Sequence, residues 1–253
     1  MTRTKIKVHD PGWRSLPFYK NGLFAPFFLI PRRWTHHLSG FLSFFRPSYP
    51  LSSEAQMRER VLMQRSQALT KMIFLSLMAG IAFILQKLEF PLPGFPTFLK
   101  IDFSEVPALI AGLLYGPLAG VLVEFFKNFL HFLFSGSETG IIPVGQLSNF
   151  LAGSVFVAVT SIIGRKVGEL KGIIYGLATA TVISAVVMTS ANWYVFFPLY
   201  SKLIHWTVTG SQKFALIMYG IAPFNLLKGV LVTAIFIPLY LKLQPHLKRR
   251  LSF

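Results

Sequence analysis

From residue 69 onward the chain is a succession of long apolar runs separated by short polar or Gly/Pro breaks. A helix needs about 20 apolar residues to cross the hydrocarbon core of a bilayer. Six runs are candidates: residues 69–87, 104–115, 117–134, 144–164, 172–197 and 213–242. The second is short, and it predicts a tilted or partly buried helix. Ser104 is placed to N-cap it, Glu105 sits in its first turn, and Gly116-Pro117 breaks it and opens the third run. The pattern predicts an all-α, polytopic membrane protein, a bundle of six transmembrane helices.

The chain organises as a basic, proline- and aromatic-rich extension over residues 1–68, a six-helix substrate-binding domain over 69–244, and a basic tail over 245–253. The extension is expected to be poorly ordered or to lie on a membrane surface. Arg32, Arg33 and Trp34 would suit an anionic interface there.

Composition and charge sharpen the picture. Hydrophobic residues make up 53% of the 253, charged residues only 13%, and the formal net charge is +16. So few charges could not cover a soluble domain, and so apolar a chain does not suit a nucleic-acid binder. Basic residues in membrane proteins concentrate in cytoplasmic segments. With the N-terminus inside, 19 of the 25 Lys and Arg fall on the cytoplasmic side, and 4 fall outside. This predicts both termini in the cytoplasm, and an even number of spans. There is no Cys, so thiol nucleophiles and Cys-based zinc sites are excluded.

The remaining basic residues, Lys127 and Lys228, lie inside spans with Glu124, and each is costly there. Glu124, Lys127, Asn128 and His131 follow i, i+3, i+4, i+7, so they share one helical face. They would either line a ligand site or join helices, and His131 reads as structural. Ser184, Met188 and Asn192 form a stripe on the fifth span. Asn225 and Lys228 do so on the sixth, just after Pro223, which loosens the backbone. Asn149 adds another buried amide. Amides beside one cation suit a neutral, flat, polar ligand, because Asn presents a donor and an acceptor together. Hard metal sites need several carboxylates, and only Glu124 lies firmly within a span, so no metal is expected. Phe98, Phe103, Trp193, Tyr194 and Tyr219 are candidates for a stacking wall; Tyr200 and Trp206 read as interface anchors. The connection after the first span carries Pro91, Pro93 and Pro96 and reads as a stiff outer lid or a packed loop. Ser76, Ala79, Gly80 and Ala82 put small residues at a spacing that allows close helix approach.

Three separated segments, FPLPGFPTFLKIDFSEVPALIAGLLYGPLAGVLVEFFKNFLHFLF (90–134), ANWYVFFPLY (191–200) and IAPFNLLKG (221–229), resemble the riboflavin-specific substrate-binding subunits, RibU type, of energy-coupling-factor vitamin transporters. The resemblance covers roughly residues 71–248, and the long N-terminal extension is not part of the family pattern. It implies a bacterial multi-pass membrane protein that captures riboflavin, with FMN or analogues as further ligands, and delivers it inward. It implies no catalysis and no cofactor. It implies partners: a membrane coupling subunit and two ATP-binding subunits. It assigns substrate contacts to Asn192, Asn225 and Lys228, and less directly to Glu124, Lys127, Asn128 and Asn149. It assigns an outer gate to residues 88–103, with Pro91, Pro93, Pro96, Phe98 and Asp102, and a docking face for the coupling subunit to Ser76, Ala79, Gly80 and Ala82. Another vitamin on the same scaffold (thiamine or a pteridine-like compound), an intramembrane enzyme using Glu124 and His131, and a self-sufficient secondary carrier are the rival readings.

Overall fold

A computed structural model describes residues 53–206 and 208–248, so the expected surface arm at Arg32, Arg33 and Trp34 lies outside the described residues. The chain divides into two units, Met1–Met57 and Arg58–Phe253, and the bundle below is the second, with the first residues of α1 falling in the other. Its helices are α1 (Ser53–Lys87), α2 (Glu105–Tyr115), α3 (Pro117–Ser135) and α4 (Val144–Val167). Two composite rods follow. In α5, Glu169–Ala191 runs through a π-helical segment, Asn192–Phe196, into Phe197–Ile204. In α6, Gly210–Ala215 runs through a second π-helical segment, Leu216–Ile221, into Ala222–Lys248. A two-stranded ribbon, β1 (Phe90–Pro91) and β2 (Lys100–Ile101), pairs antiparallel between α1 and α2, with Phe90 opposite Ile101.

Among the described residues five helices are long and apolar enough to cross a membrane, and α2 is not. At 11 residues and 1.5 Å per residue it spans about 16 Å, half the hydrocarbon thickness. It is instead nearly all buried, a core element inside the bundle. The helix α1 starts at Ser53, well before the predicted onset at residue 69, so the last part of the supposed extension is helical. Its sequence from Ser53 to Gln67 has no Gly or Pro to stop a helix.

The α2–α3 corner is a single residue. Gly116 takes φ +100°, a left-handed conformation that a side chain resists, and Pro117 opens α3, where its missing N–H costs nothing. Ser104 does not cap α2 through its side chain; its hydroxyl is engaged with Asp102. At the other end of α2, Arg165 of α4 donates to the carbonyls of Leu113 (3.1 Å) and Leu114 (3.2 Å), which the helix itself leaves unpaired. Lys71 and Phe74 of α1 meet Tyr115 at that same end.

Both π-helical segments have the same local cause. Pro198 and Pro223 each stand two residues beyond one of them, and a proline ring collides with the carbonyl four residues back. Those carbonyls belong to Tyr194 and Tyr219, inside the π-helical turns. Widening the turn relieves the clash and shifts the bonds of the preceding residues.

The main apolar core sits in the half of the bundle near the α2–α3 corner. There Leu109 and Ala108 of α2, Val157 of α4, Leu177 of α5 and Phe236 of α6 are fully enclosed. Ala79 and Ala82 of α1 belong to it. Two smaller apolar clusters lie toward the ribbon end, one around Val144, Met188 and Phe196, the other around Phe197, Ile217 and Ile221.

Candidate functional site

The ribbon end encloses a cavity of about 660 Å³, within the ordinary size of a small-molecule site. It is lined from every side: by Gln86 of α1, Phe98 and Asp102 of the ribbon connection, His131 of α3, Asn149 of α4, Asn192 of α5, and Asn225 and Lys228 of α6. The sequence places these residues up to 142 positions apart (from 86 to 228), and the bundle brings them to one chamber.

Two of the amides are held by the backbone carbonyl one turn before them. Asn192 Nδ2 donates to the Met188 carbonyl, and Asn225 Nδ2 donates to the Ile221 carbonyl, each at 2.8 Å. A carbonyl can only accept, so the nitrogen of each amide is committed to the backbone, and its oxygen is left as an acceptor beside the second N–H. Asn149 Oδ1 is buried and has no hydrogen-bond partner. A buried polar atom without a partner is costly, and a ligand donor would satisfy it.

Aromatic rings form the roof. Phe98 packs edge-on to Trp206 at 5.9 Å between centroids, Tyr200 packs on Trp206 at 6.1 Å, and Phe95 meets Phe224 at 5.7 Å. Trp206, Tyr200, Phe197 and Phe224 all face the cavity. This corrects the reading of Tyr200 and Trp206 as interface anchors. Of the five expected wall residues, only Phe98 lines the chamber. Tyr194 and Tyr219 are 76% and 79% exposed, Trp193 stacks under Lys213, and Phe103 packs against the core. Which ring turns inward depends on how helices rotate and where the connections carrying Phe98 and Trp206 fold back, and an aromatic suits lipid and cavity equally well.

Of the residues expected to form an outer gate, only some meet the cavity. Phe98 and Asp102 face the cavity, and Pro96 packs near Gly220 of α6, whereas Pro91 and Pro93 are exposed. Lys100 and Glu89 clasp the ribbon base at 2.8 Å. That hydrogen bond to Glu89, outweighing the partial burial that opposes it, raises the pKa of Lys100 above the ordinary lysine value.

Under the cavity floor lies a network of five charged side chains. Lys228 Nζ is 2.7 Å from Glu105 Oε1 and 3.2 Å from Asp102 Oδ2. Lys127 Nζ is 2.7 Å from Glu124 Oε2, 2.5 Å from Ser104 Oγ and 3.9 Å from Glu105 Oε1. Ser104 donates its backbone N–H to Asp102 Oδ1 at 2.9 Å and its hydroxyl to the same oxygen. The helix α4 closes the back: a Cβ on Gly153 would run into the Glu124 carboxylate. The i, i+3 contact of Glu124 with Lys127 is thus an ion pair, with both side chains fully buried. Asn128 donates to the Glu124 carbonyl and accepts from Gln86 Nε2 at 3.1 Å.

The structure therefore divides the expected substrate contacts. Asn149, Asn192, Asn225 and Lys228 line the cavity; Glu124, Lys127 and Asn128 lie behind its wall and do not face it. Glu124 and Lys127 pair with each other and Lys127 with Glu105, Asn128 pairs with Gln86, and His131, one turn on, reaches the cavity. Sequence reading missed Glu105 as an ionic partner, because a carboxylate in a helix's first turn already has an explanation in the dipole. It also missed Gln86 and, apart from Phe98, the roof residues. A glutamine ending an otherwise apolar span was the available signal for Gln86. The expected docking face divides too: Ser76 is exposed and Gly80 has open space beside it, but Ala79 and Ala82 are buried in the bundle core.

Comparison with known proteins adds to this geometry. Residues 70–240 match the family model described as ECF transporter, substrate-specific component. The chain is 39% identical over 183 residues to the riboflavin transporter FmnP of Bacillus subtilis (strain 168), covering 72% of this chain and 96% of that protein. It is 36% identical over 192 residues to the riboflavin transporter RibU of Staphylococcus aureus (strain TCH60), covering 76% and 98%. A solved structure described as the S component of a bacterial ECF transporter superposes with a TM-score of 0.61 at 37% identity, covering 71% of this chain and 98% of that one.

Proposed function

Because the chain belongs to the family of substrate-specific components of ECF transporters, we infer that it is the riboflavin-binding membrane subunit of an ATP-driven vitamin importer. It is a transport subunit and not an enzyme; riboflavin is its cargo, not a cofactor. The observation that carries the reading is the convergence of Asn149, Asn192, Asn225 and Lys228 on one cavity roofed by aromatic rings.

Riboflavin is a flat tricyclic ring with a polar imide-bearing edge and a polyol chain. The ring would enter between the roof aromatics and the amide wall, where stacking and exclusion of water favour a planar apolar body. Asn192 and Asn225 would accept from an imide N–H or chain hydroxyls and donate through their remaining N–H. Asn149 Oδ1 would gain the donor it lacks. Lys228 would donate to a ring carbonyl or nitrogen. The ribbon, with Phe95 resting on Phe224 and Phe98 on Trp206, would part to admit the ligand and close over it.

The subunit sits in the bacterial cell membrane as a multi-pass protein. The excess of Lys and Arg on one side supports both termini in the cytoplasm, which puts the cavity at the outer end; although α2 is too short to cross alone, it still carries the chain from the ribbon back to the Gly116 corner, so the even count of passes is kept. The family supports assembly with a coupling subunit and two ATP-binding subunits, whose ATP hydrolysis would reorient the loaded bundle. Ser76 and Gly80, open on α1, remain free to meet that coupling subunit.

Flavin fluorescence quenching on the purified protein tests the assignment. Tight quenching with riboflavin, and no competition by thiamine, is expected. Unchanged riboflavin affinity in Lys228→Ala would remove Lys228 from the site.

A further inference from the structure

Lys228 lines the cavity with only 12% of its side chain exposed, while Glu105 beside it is 3% exposed and does not line it. An ammonium has three donors. One reaches Glu105 Oε1 at 2.7 Å and one reaches Asp102 Oδ2 at 3.2 Å, which leaves one for the chamber. A lysine stem has four rotatable carbons and does not hold a position by itself. The two carboxylates do so here, and Asp102 is in turn fixed by the backbone N–H and hydroxyl of Ser104.

We propose that Glu105 is a positioning residue for ligand recognition: with Asp102 it aims the Lys228 ammonium into the cavity and offsets its charge, so the wall takes a neutral ligand edge and rejects the anionic form of the same ligand. The network holds three carboxylates, Asp102, Glu105 and Glu124, against two ammoniums, Lys127 and Lys228. An unpaired lysine would attract an anion. This one has a carboxylate on each of two sides, Glu105 at 2.7 Å and Asp102 at 3.2 Å, and in a low-dielectric setting their negative charge is felt strongly. The proposal rests on the reading that Lys228 contacts the ring of riboflavin, whose imide loses its proton in alkaline solution and becomes an anion.

The test is the riboflavin dissociation constant of the purified full chain, followed by fluorescence quenching from neutral pH through the range where the imide ionises. In the wild type, affinity is expected to fall across that range. In Glu105→Gln, affinity at neutral pH is expected to drop about tenfold as Lys228 loses its anchor. The alkaline fall should shrink by about tenfold or reverse, since one negative charge beside the ligand is gone. A merely structural role for Glu105 would weaken binding equally at every pH, so a profile parallel to the wild type overturns the proposal. Lys127 and Glu124 from α3 stand behind Lys228, and His131, Lys100 and Tyr200 line the same chamber. His131, Lys100 and Tyr200 do not touch Glu105 and form a common background, whereas Lys127 and Glu124 are tied to it through Lys127, so wild type and Glu105→Gln are also compared in a Glu124→Gln background that removes their response. Should Glu105→Gln not fold, Asp102→Asn removes the other carboxylate and carries the same expectation. Lys228→Met separates the two failures. If it binds as the wild type does, the ligand contact itself is wrong; if it loses affinity while Glu105→Gln stays parallel, only the positioning role fails.

Discussion

Gln86 of α1 donates its side-chain amide to Asn128 Oδ1 of α3 at 3.1 Å, and both side chains are buried. Together with the Lys87–Ser135 hydrogen bond, this bond fastens a helix that otherwise meets the bundle mainly through Ala79, Ala82 and a few larger apolar side chains. Gln86→Leu would leave Asn128 Oδ1 without a donor. The expected cost is about 1–3 kcal/mol, the penalty of a buried acceptor left unpaired. A lower melting temperature of the ligand-free protein in detergent checks it.

Lys127 and Lys228 carry the same charge in the same network but face different neighbours. Lys127→Met strips Glu124 of its 2.7 Å partner and leaves a buried charge uncompensated, for an expected loss of about 3–5 kcal/mol. Because Lys127 does not reach the cavity, the riboflavin affinity of the folded fraction should change less than in Asn192→Ala. Thermal melting and fluorescence titration of both variants side by side give the answer; an equal or larger affinity loss in Lys127→Met would restore it to the ligand contacts.

Trp206 touches Phe98, Phe197 and Tyr200 and so joins the ribbon to α5 over the chamber. Trp206→Ala should loosen this roof and speed riboflavin release by about tenfold or more, in line with the 2 kcal/mol scale of a buried aromatic anchor. The association rate should change much less. Stopped-flow displacement of bound flavin measures the release rate, and a rate equal to the wild type would mean that the roof does not gate.

Much of the architecture could be read along the chain. Apolar run length marks each span, and Gly116-Pro117 marks the sharpest corner, because both effects are local: a helix must match the bilayer, and a left-handed residue must be glycine. The amides Asn149, Asn192 and Asn225 and the charge Lys228 stood out since a membrane interior rejects them unless they serve a purpose. The resemblance to a riboflavin-binding family is what makes a flavin the proposed ligand for Asn192, Asn225 and Lys228.

Other properties were decided by how the helices turn about their axes and which distant segments meet. Glu124 and Lys127 look like ligand groups on a helical face, but that face turned toward α2 and α4, and their partners are charges. Glu105 looks like an ordinary first-turn carboxylate until α6 delivers Lys228 to within 2.7 Å of it. The aromatics divide by where the packed elements carry them, so Tyr219 on α6 is exposed while Trp206, in the connection after α5, faces the chamber. The sequence by itself determined the number of helices, their order and the polar residues that the membrane must hide. Only the tertiary structure decided which of those residues meet one another and which meet the cavity, because hydropathy depends on each side chain alone, while an ion pair or a cavity wall depends on two elements packed together.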